Sequence, residues 1–145
     1  MGYSDNKFTI SIYEEEDIIL LSVGNMMGIG LEVRKALKKI GYSCSLDKVH
    51  SINQIDKEAL SKACDSHRLI VTMEENSPGG SFGERVKDYL NSLKSPVSVL
   101  NISVPDECIE HDKVGLFGQE VRMDVDSIVK RIIIAYIGLG KDYRQ

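Results

Sequence analysis

Short runs of β-branched and apolar residues alternate along this chain with longer segments whose apolar residues recur at helical spacing. Phe8 to Tyr13 alternates with a period of two, and Ile18 to Val23 is a continuous apolar run suited to a buried central strand. Such alternation of strands and helices is typical of a mostly parallel sheet with crossover helices. We therefore predict an α/β three-layer sandwich of about five strands.

The link between the first two predicted strands is very short. Only Glu14 to Asp17, four acidic residues, join them. A parallel crossover needs a dozen or more residues, so the link favours an antiparallel hairpin between these two strands. We expect one antiparallel strand in the sheet, with the acidic run as a solvated turn.

Helix signals follow at several places. The first predicted helix has an apolar face with steps of four, four and three residues, formed by Ile29, Val33, Leu37 and Ile40. Ser81 and Glu84 form a capping box that predicts the start of another helix. Asp124 is expected to cap a last helix with a broad apolar stripe. Ile134 lies outside that stripe, which indicates either that the helix contributes to a partner surface or that it is buried on two sides.

Length, composition and charge restrict the class of protein. The 145 residues, 42% of them hydrophobic, can bury the core of one domain over 1–145, with the core at about 7–137. The net charge of −4 argues against a nucleic-acid partner. The three cysteines, at positions 44, 64 and 108, form neither a disulfide framework nor a CxxC site. The lack of a long apolar run and of a signal-peptide pattern predicts a cytoplasmic protein without a membrane partner.

The carboxyl ends of parallel strands meet at one edge of such a sheet, where ligands usually bind. Candidate interface residues at this edge are Glu74, Glu75, Asp106 and His111. Adjacent strand residues point to opposite faces of a sheet, so the two glutamates are not expected to act together as a pair of catalytic carboxylates. We expect one of them to cap a neighbouring helix or to accept N–H bonds from a loop. The histidines lack metal-ligand spacing, so no metal site is expected.

A glycine-rich loop precedes the helix predicted at Phe82. Its backbone N–H groups are candidates for contacting an anion or another domain, and the residues concerned are Gly79, Gly80, Ser81 and Gly83. The loop lacks the Lys-Ser/Thr of a P-loop and the GxGxxG of a dinucleotide site. A sharp turn and close helix packing explain its glycines as well, and we favour that interpretation.

Several motifs stand in a fixed order along the chain: Ser22-Val23-Gly24-Asn25-Met26, Leu37 to Gly41, Ser51 to Asp56, Ile70 to Asn76 with Gly80 and Gly83, and Val104-Pro105-Asp106 to His111. This succession resembles the C-terminal domain of transketolase-type thiamine diphosphate enzymes. Within that family it is most similar to 1-deoxy-D-xylulose-5-phosphate synthases. The resemblance covers about Lys7 to Ile137.

The resemblance implies a five-stranded, mostly parallel sheet with one antiparallel strand. It also implies an assembly role, because in this family two other domains hold thiamine diphosphate and Mg²⁺, one of them through a GDG motif that this chain lacks. We therefore expect no catalytic residue, no cofactor bound by this chain, and no activity of the chain alone. Its expected partners are the catalytic domains or subunit of a transferase of isoprenoid biosynthesis, in a homodimer.

The residues alone leave other classes open. A free-standing flavodoxin-like module would hold a flavin or a phosphorylated metabolite in the loops at the strand edge, with Gly79 to Gly83 receiving the phosphate. Yellow purified protein would favour it. A small hydrolase built on Glu75 and His111 is a third hypothesis, which nothing in the spacing supports.

Overall fold

The computed structural model describes the backbone of residues 9–13, 17–49, 56–75, 82–104 and 118–143, and side chains within 17–49, 56–74, 82–103 and 125–139. Five strands and four α-helices follow one another in this part of the chain: β1 (Thr9–Tyr13), β2 (Asp17–Val23), α1 (Met27–Lys39), β3 (Cys44–Val49), α2 (Lys57–Ser66), β4 (His67–Glu75), α3 (Phe82–Leu93), β5 (Ser98–Val104) and α4 (Gly118–Tyr143). A 3₁₀ turn, Gly24–Met26, joins β2 to α1. None of these helices is both long and apolar enough to cross a bilayer.

The strands form one sheet in the order β1-β3-β2-β4-β5, in which β2, β3, β4 and β5 run parallel. Parallel neighbours require crossovers, and the crossover helices cover both faces of the sheet. One buried cluster joins the sheet to α1 and α4, and a second joins it to α2 and α3. The predicted α/β three-layer arrangement is confirmed.

The strand β1 pairs with β3, antiparallel, with Thr9 opposite Val49 and Tyr13 opposite Leu46. The predicted hairpin between β1 and β2 is therefore wrong. A short link rules out a parallel crossover, but it leaves open whether another strand lies between the two it joins. Here β3 takes the place beside β2, because the crossover through α1 returns the chain to that side, and β1 is displaced to the edge. The acidic residues 14–16 lie outside the described part.

The central strand β2 is buried on both faces, as its continuous apolar run predicts. Ile18 and Leu20 face α1 and α4, whereas Ile19 and Leu21 face α2 and α3. Full burial of one such side chain contributes about 1.5–3 kcal/mol, so a run of them selects the centre of the sheet.

The apolar face of α1 is confirmed except at its end. Ile29, Val33 and Leu37 are buried, but Ile40 is 53% exposed. The helix ends at Lys39, and Gly41 adopts φ 95, in the left-handed region that favours glycine. Ile40 therefore lies in the turn that leaves the helix, where the helical spacing no longer directs it inward.

The last helix is longer than its sequence signals indicate. The predicted apolar stripe is confirmed, with Val125, Ile128, Val129 and Ile132 buried against the sheet. The predicted cap at Asp124 is wrong, because α4 begins at Gly118 and Asp124 lies inside it. The preceding residues include good helix formers such as Gln, Glu, Arg and Met, which allow the helix to extend toward the N-terminus.

Candidate functional site

Two neighbouring parallel strands, β2 and β4, send the chain to opposite faces of the sheet. The helix α1 follows β2 on one face, and α3 follows β4 on the other. In open α/β sheets ligands bind outside the carboxyl ends of the strands at such a point. We call the ends of these strands, Val23-Gly24 and Glu74-Glu75, the switch-point edge, and it is the candidate site.

The Glu74 carboxylate lies at this edge and is engaged with α3. Its Oε1 accepts a hydrogen bond from the Phe82 N–H and its Oε2 one from the Gly83 N–H, each at 2.9 Å. These are the first two N–H groups of α3, which have no partner within the helix, and a negative charge is favourable there. Glu74 is only 7% exposed. The prediction that one of the adjacent glutamates caps a neighbouring helix is confirmed for Glu74.

Gly83 lies directly against the sheet. A Cβ at this position would overlap the Asn101 side chain and come within 2.7 Å of Thr72 Oγ1. Those two side chains are themselves joined, because the Thr72 hydroxyl donates to Asn101 Oδ1 at 2.7 Å. The glycine is thus explained by close packing of α3 on β4 and β5.

The contacts of Glu74 with α3 disfavour anion binding at the start of this helix, where the predicted glycine-rich loop ends. Two of the N–H groups at the start of α3 already bind the Glu74 carboxylate, whose charge would repel an anion. The structure brings Glu74 and Gly83 together and places the backbone of Glu75 at the end of β4, opposite Val104. The other predicted site residues, Gly79, Gly80, Ser81, Asp106 and His111, lie outside the described part.

The β2 side of the switch-point edge is made largely of backbone. Gly24 adopts φ 62, and neither the 3₁₀ turn nor α1 has a side-chain cap. Behind them Ser22 is fully buried, and its Oγ has no hydrogen-bond partner in the described part of the chain. Gly30 packs on this hydroxyl. Ser22 is not among the predicted site residues, although a polar residue inside an apolar run is a visible signal.

A second polar cluster, the Tyr136 cluster, lies at the opposite edge of the sheet. The Tyr136 hydroxyl donates to Asp17 Oδ2 at 2.9 Å. The Tyr42 ring meets the Tyr136 ring edge-on with centroids 5.7 Å apart, and the Arg68 guanidinium lies 5.6 Å from that ring's centroid. Burial raises the pKa of Tyr136, the Asp17 carboxylate raises it further, and Arg68 opposes the shift. These contacts tie α4 to the starts of β2 and β4.

His67 forms a separate contact between α2 and the sheet. Its Nδ1 lies 2.9 Å from the Ala63 carbonyl oxygen and its Nε2 lies 2.8 Å from Ser45 Oγ. A carbonyl only accepts, so Nδ1 donates to the Ala63 carbonyl oxygen, while Nε2 is paired with the Ser45 hydroxyl. Ser45 is 2% exposed, so this hydroxyl is shielded from substrates in solution. The pair fastens α2 to β3 and β4.

The described residues do not fit the cofactor that the resemblance implies for this family. They include no group of three or more His, Cys, Asp or Glu placed to hold a metal ion. Mg²⁺ with a diphosphate takes oxygen ligands such as carboxylates. The Glu74 carboxylate at the switch-point edge is already bound to two backbone N–H groups.

The fold is that of a doubly wound α/β domain whose switch-point carboxylate holds a helix. The sequence matches the model of the family "Transketolase, C-terminal domain" over residues 10–128, and the chain belongs to that family. The family membership expected from the ordered motifs is confirmed.

Similar proteins include 1-deoxy-D-xylulose-5-phosphate synthases and a split gene transketolase. The 1-deoxy-D-xylulose-5-phosphate synthase of Lachnoclostridium phytofermentans is 37% identical over 139 residues, which cover 91% of this chain and 22% of the synthase. That of Clostridium acetobutylicum is 30% identical over 118 residues, covering 81% of this chain and 19% of the synthase. A split gene transketolase, solved as an inactive β4 tetramer, superposes with a TM-score of 0.64 at 26% identity, covering 86% of this chain and 42% of that one.

The chain thus spans about a fifth of the length of the curated synthases it matches. These matches give no support to the flavodoxin-like alternative. The hydrolase hypothesis on Glu75 and His111 is not tested by them.

Proposed function

We propose that this chain serves as the non-catalytic C-terminal assembly domain of a thiamine diphosphate-dependent transferase similar to the 1-deoxy-D-xylulose-5-phosphate synthases. On this proposal the chain is cytoplasmic and inactive alone, and catalytic domains or a catalytic subunit bind the cofactor and Mg²⁺. One observation carries the proposal. Nearly the whole chain aligns with only about a fifth of a synthase, so most of such an enzyme lies outside this fold.

The chemistry of the switch-point edge supports a structural role. A general acid or base has to exchange its proton with a substrate within hydrogen-bond reach. The Glu74 carboxylate is nearly inaccessible, and both of its oxygens accept backbone N–H bonds from α3. It is therefore suited to holding the helix and poorly suited to proton transfer.

The surface of α4 supports assembly. Ile134 is 71% exposed and Ile137 is 47% exposed. Exposed apolar patches mark interaction sites on soluble domains. The similar split gene transketolase is a tetramer of β subunits, which is a precedent for subunit assembly in this family. A homodimer of the whole enzyme belongs to the same proposal.

A domain exchange tests this function. The segment of the Lachnoclostridium phytofermentans synthase that matches this chain is replaced by the chain itself, and synthase turnover and sedimentation are measured. We expect the chimera to assemble like the parent synthase and to turn over, whereas this chain alone shows no turnover. The control is the synthase that lacks the matched segment. Turnover by the isolated chain, or a folded chimera no more active than the truncated control, contradicts the proposal.

A further inference from the structure

The two helix layers of the domain present different surfaces. On α2 and α3 the exposed charged side chains balance, with four cations and four anions: Lys57, Lys62, Arg85 and Lys87 against Glu58, Asp65, Glu84 and Asp88. Leu93 is the large apolar side chain exposed on this layer. A mixed, balanced surface of this kind is typical of a solvated helix face.

In its described part the opposite layer, which we call the α1/α4 face, exposes more cations than anions together with several large apolar side chains. Its described side chains include five exposed cations against two exposed anions: Lys35, Lys38, Lys39, Lys130 and Arg131 against Glu32 and Asp126. The same face exposes four large apolar side chains: Leu31 and Ile40 on the α1 side, and Ile134 and Ile137 on α4. Among these described side chains the exposed cations thus outnumber the exposed anions by three, whereas the chain as a whole carries a net charge of −4.

The cations and the isoleucines of α4 are neighbours. Lys130, Ile134 and Ile137 follow one another at steps of four and three residues, which places them on one side of the helix. Asp126, one turn before Lys130, also lies on this side, so the isoleucines are bordered by charges of both signs with the cations in excess. An apolar group bordered by charged side chains is the arrangement of a docking site with a polar rim.

We propose that the α1/α4 face docks onto an acidic protein surface with an apolar centre, located on the catalytic part of the enzyme. The inference rests on the proposed function and names the surface and the chemistry of its partner. A negatively charged partner is favoured because complementary charge speeds the encounter and sets the orientation. Burial of the isoleucines supplies the affinity.

The same charge argument disfavours a second copy at this face. A twofold pair through the α1/α4 face would place the same surface on both sides and bring two positive surpluses together.

An anionic membrane would also attract cations, but the apolar side chains fit it less well. Helices that lie in a membrane surface present a continuous apolar face with Trp, Phe and Leu. Here the exposed apolar side chains are aliphatic and are divided between two helices packed on a sheet. A protein surface is the better match.

A binding experiment with matched variants tests the proposal. The 145-residue chain is titrated against the Lachnoclostridium phytofermentans synthase that lacks the matching segment, at about 50 mM and about 500 mM sodium chloride. The test variant is Lys130→Glu/Arg131→Glu, and Ile134→Ser probes the apolar centre. The control, Lys62→Glu/Lys87→Glu, makes the same charge change on the balanced layer. Circular dichroism checks that each variant folds.

We expect the Kd to rise about tenfold or more for Lys130→Glu/Arg131→Glu and for Ile134→Ser, and to rise with salt for the unaltered chain. The control should bind like the unaltered chain. Equal binding by test and control variants overturns the docking face while leaving the domain assignment intact. An inactive domain-exchange chimera overturns the proposed function itself.

Two further outcomes would show that the α1/α4 face binds a membrane or a second copy of the chain. Binding of the unaltered chain to phosphatidylserine vesicles, without binding to the truncated synthase, overturns the proposal in favour of a membrane. Self-association of the chain that Lys130→Glu/Arg131→Glu abolishes overturns it in favour of a second copy.

Discussion

The Tyr136 hydroxyl of α4 donates a hydrogen bond to the Asp17 carboxylate at 2.9 Å, which joins residues 119 positions apart. Asp17 holds φ 75, a left-handed conformation that is costly for most residues other than glycine. The register between β2 and β4 shifts at the same place, between Asp17 and Ile18. The last helix is thereby fastened to the first residue of the central strand, at the edge opposite the switch-point edge.

Replacing Tyr136 by phenylalanine removes this hydrogen bond and keeps the ring. We expect Tyr136→Phe to lower the free energy of unfolding at neutral pH by about 1–2 kcal/mol, because the bond has a charged acceptor in a partly buried place. Urea unfolding measures the change. Asp17→Asn is the companion variant, since an amide also tolerates the left-handed conformation and still accepts a bond, so its loss should be smaller. A Tyr136→Phe protein as stable as the unaltered chain would show that the bond contributes nothing.

The contribution of Tyr136 should depend on pH in one direction. Burial, followed by the Asp17 hydrogen bond and charge, raises the pKa of Tyr136 above its ordinary value of 10.0. The folded state therefore holds the phenolic proton more tightly than the unfolded state does. The resulting stability is present below pH 10 and is lost as the pH rises through the folded-state pKa. The stability difference between the unaltered chain and Tyr136→Phe should shrink above pH 10, and a difference that grows there would contradict the assignment.

Removal of the Glu74 carboxylate should destabilise the start of α3. Glu74→Ala leaves two N–H groups in a buried place without their acceptor, at an expected cost of about 2–3 kcal/mol. Glu74→Gln retains one carbonyl acceptor and should cost less. Asp88→Asn, an exposed change on the same helix, is the control and should change the free energy of unfolding by less than about 0.5 kcal/mol. Equal stability of Glu74→Ala and this control, measured by urea unfolding, would refute the capping role.

Two glycines of α1 provide a matched pair for packing. A Cβ at Gly30 would overlap the buried Ser22 hydroxyl, whereas a Cβ at Gly28 meets nothing within 4 Å. Gly30→Ala should therefore destabilise by about 1–3 kcal/mol, and Gly28→Ala should stabilise by up to about 1 kcal/mol. Thermal unfolding compares the two, and the reverse order would contradict the packing shown here.

The hydroxyl of Ser22 should cost stability, because it is buried without a hydrogen-bond partner in the described part of the chain. Ser22→Ala is expected to leave the free energy of unfolding unchanged or to raise it by about 1 kcal/mol. It should also relieve part of the loss in Gly30→Ala when the two changes are combined. A large loss on Ser22→Ala would mean that the hydroxyl has a favourable interaction.

Much of the fold follows from the sequence because burial and periodicity are local signals. The run Ile18 to Val23 predicts a strand buried on both sides, and the family motifs predict the mostly parallel sheet. The neighbour of β1 could not be predicted in this way, since the length of the Glu14 to Asp17 link limits only the distance between strand ends. The exposure of Ile40 likewise depends on where α1 stops, which the helical spacing does not encode.

The residues of the candidate site also differ in whether a local sequence signal predicts them. The sequence indicates that one of Glu74 and Glu75 holds a helix, but which one does so depends on the face that each presents in the strand. Ser22 carried a visible signal as a polar residue in an apolar run. The contact between Tyr136 and Asp17 carried none, because nothing local relates residues at opposite ends of the chain.

The central claim is that this chain supports an enzyme whose cofactor is bound elsewhere. Isothermal titration of thiamine diphosphate with Mg²⁺ into the isolated chain, and into the domain-exchange chimera under the same conditions, tests it most directly. We predict heat of binding for the chimera and only heat of dilution for the isolated chain. Saturable micromolar binding to the isolated chain would contradict the account.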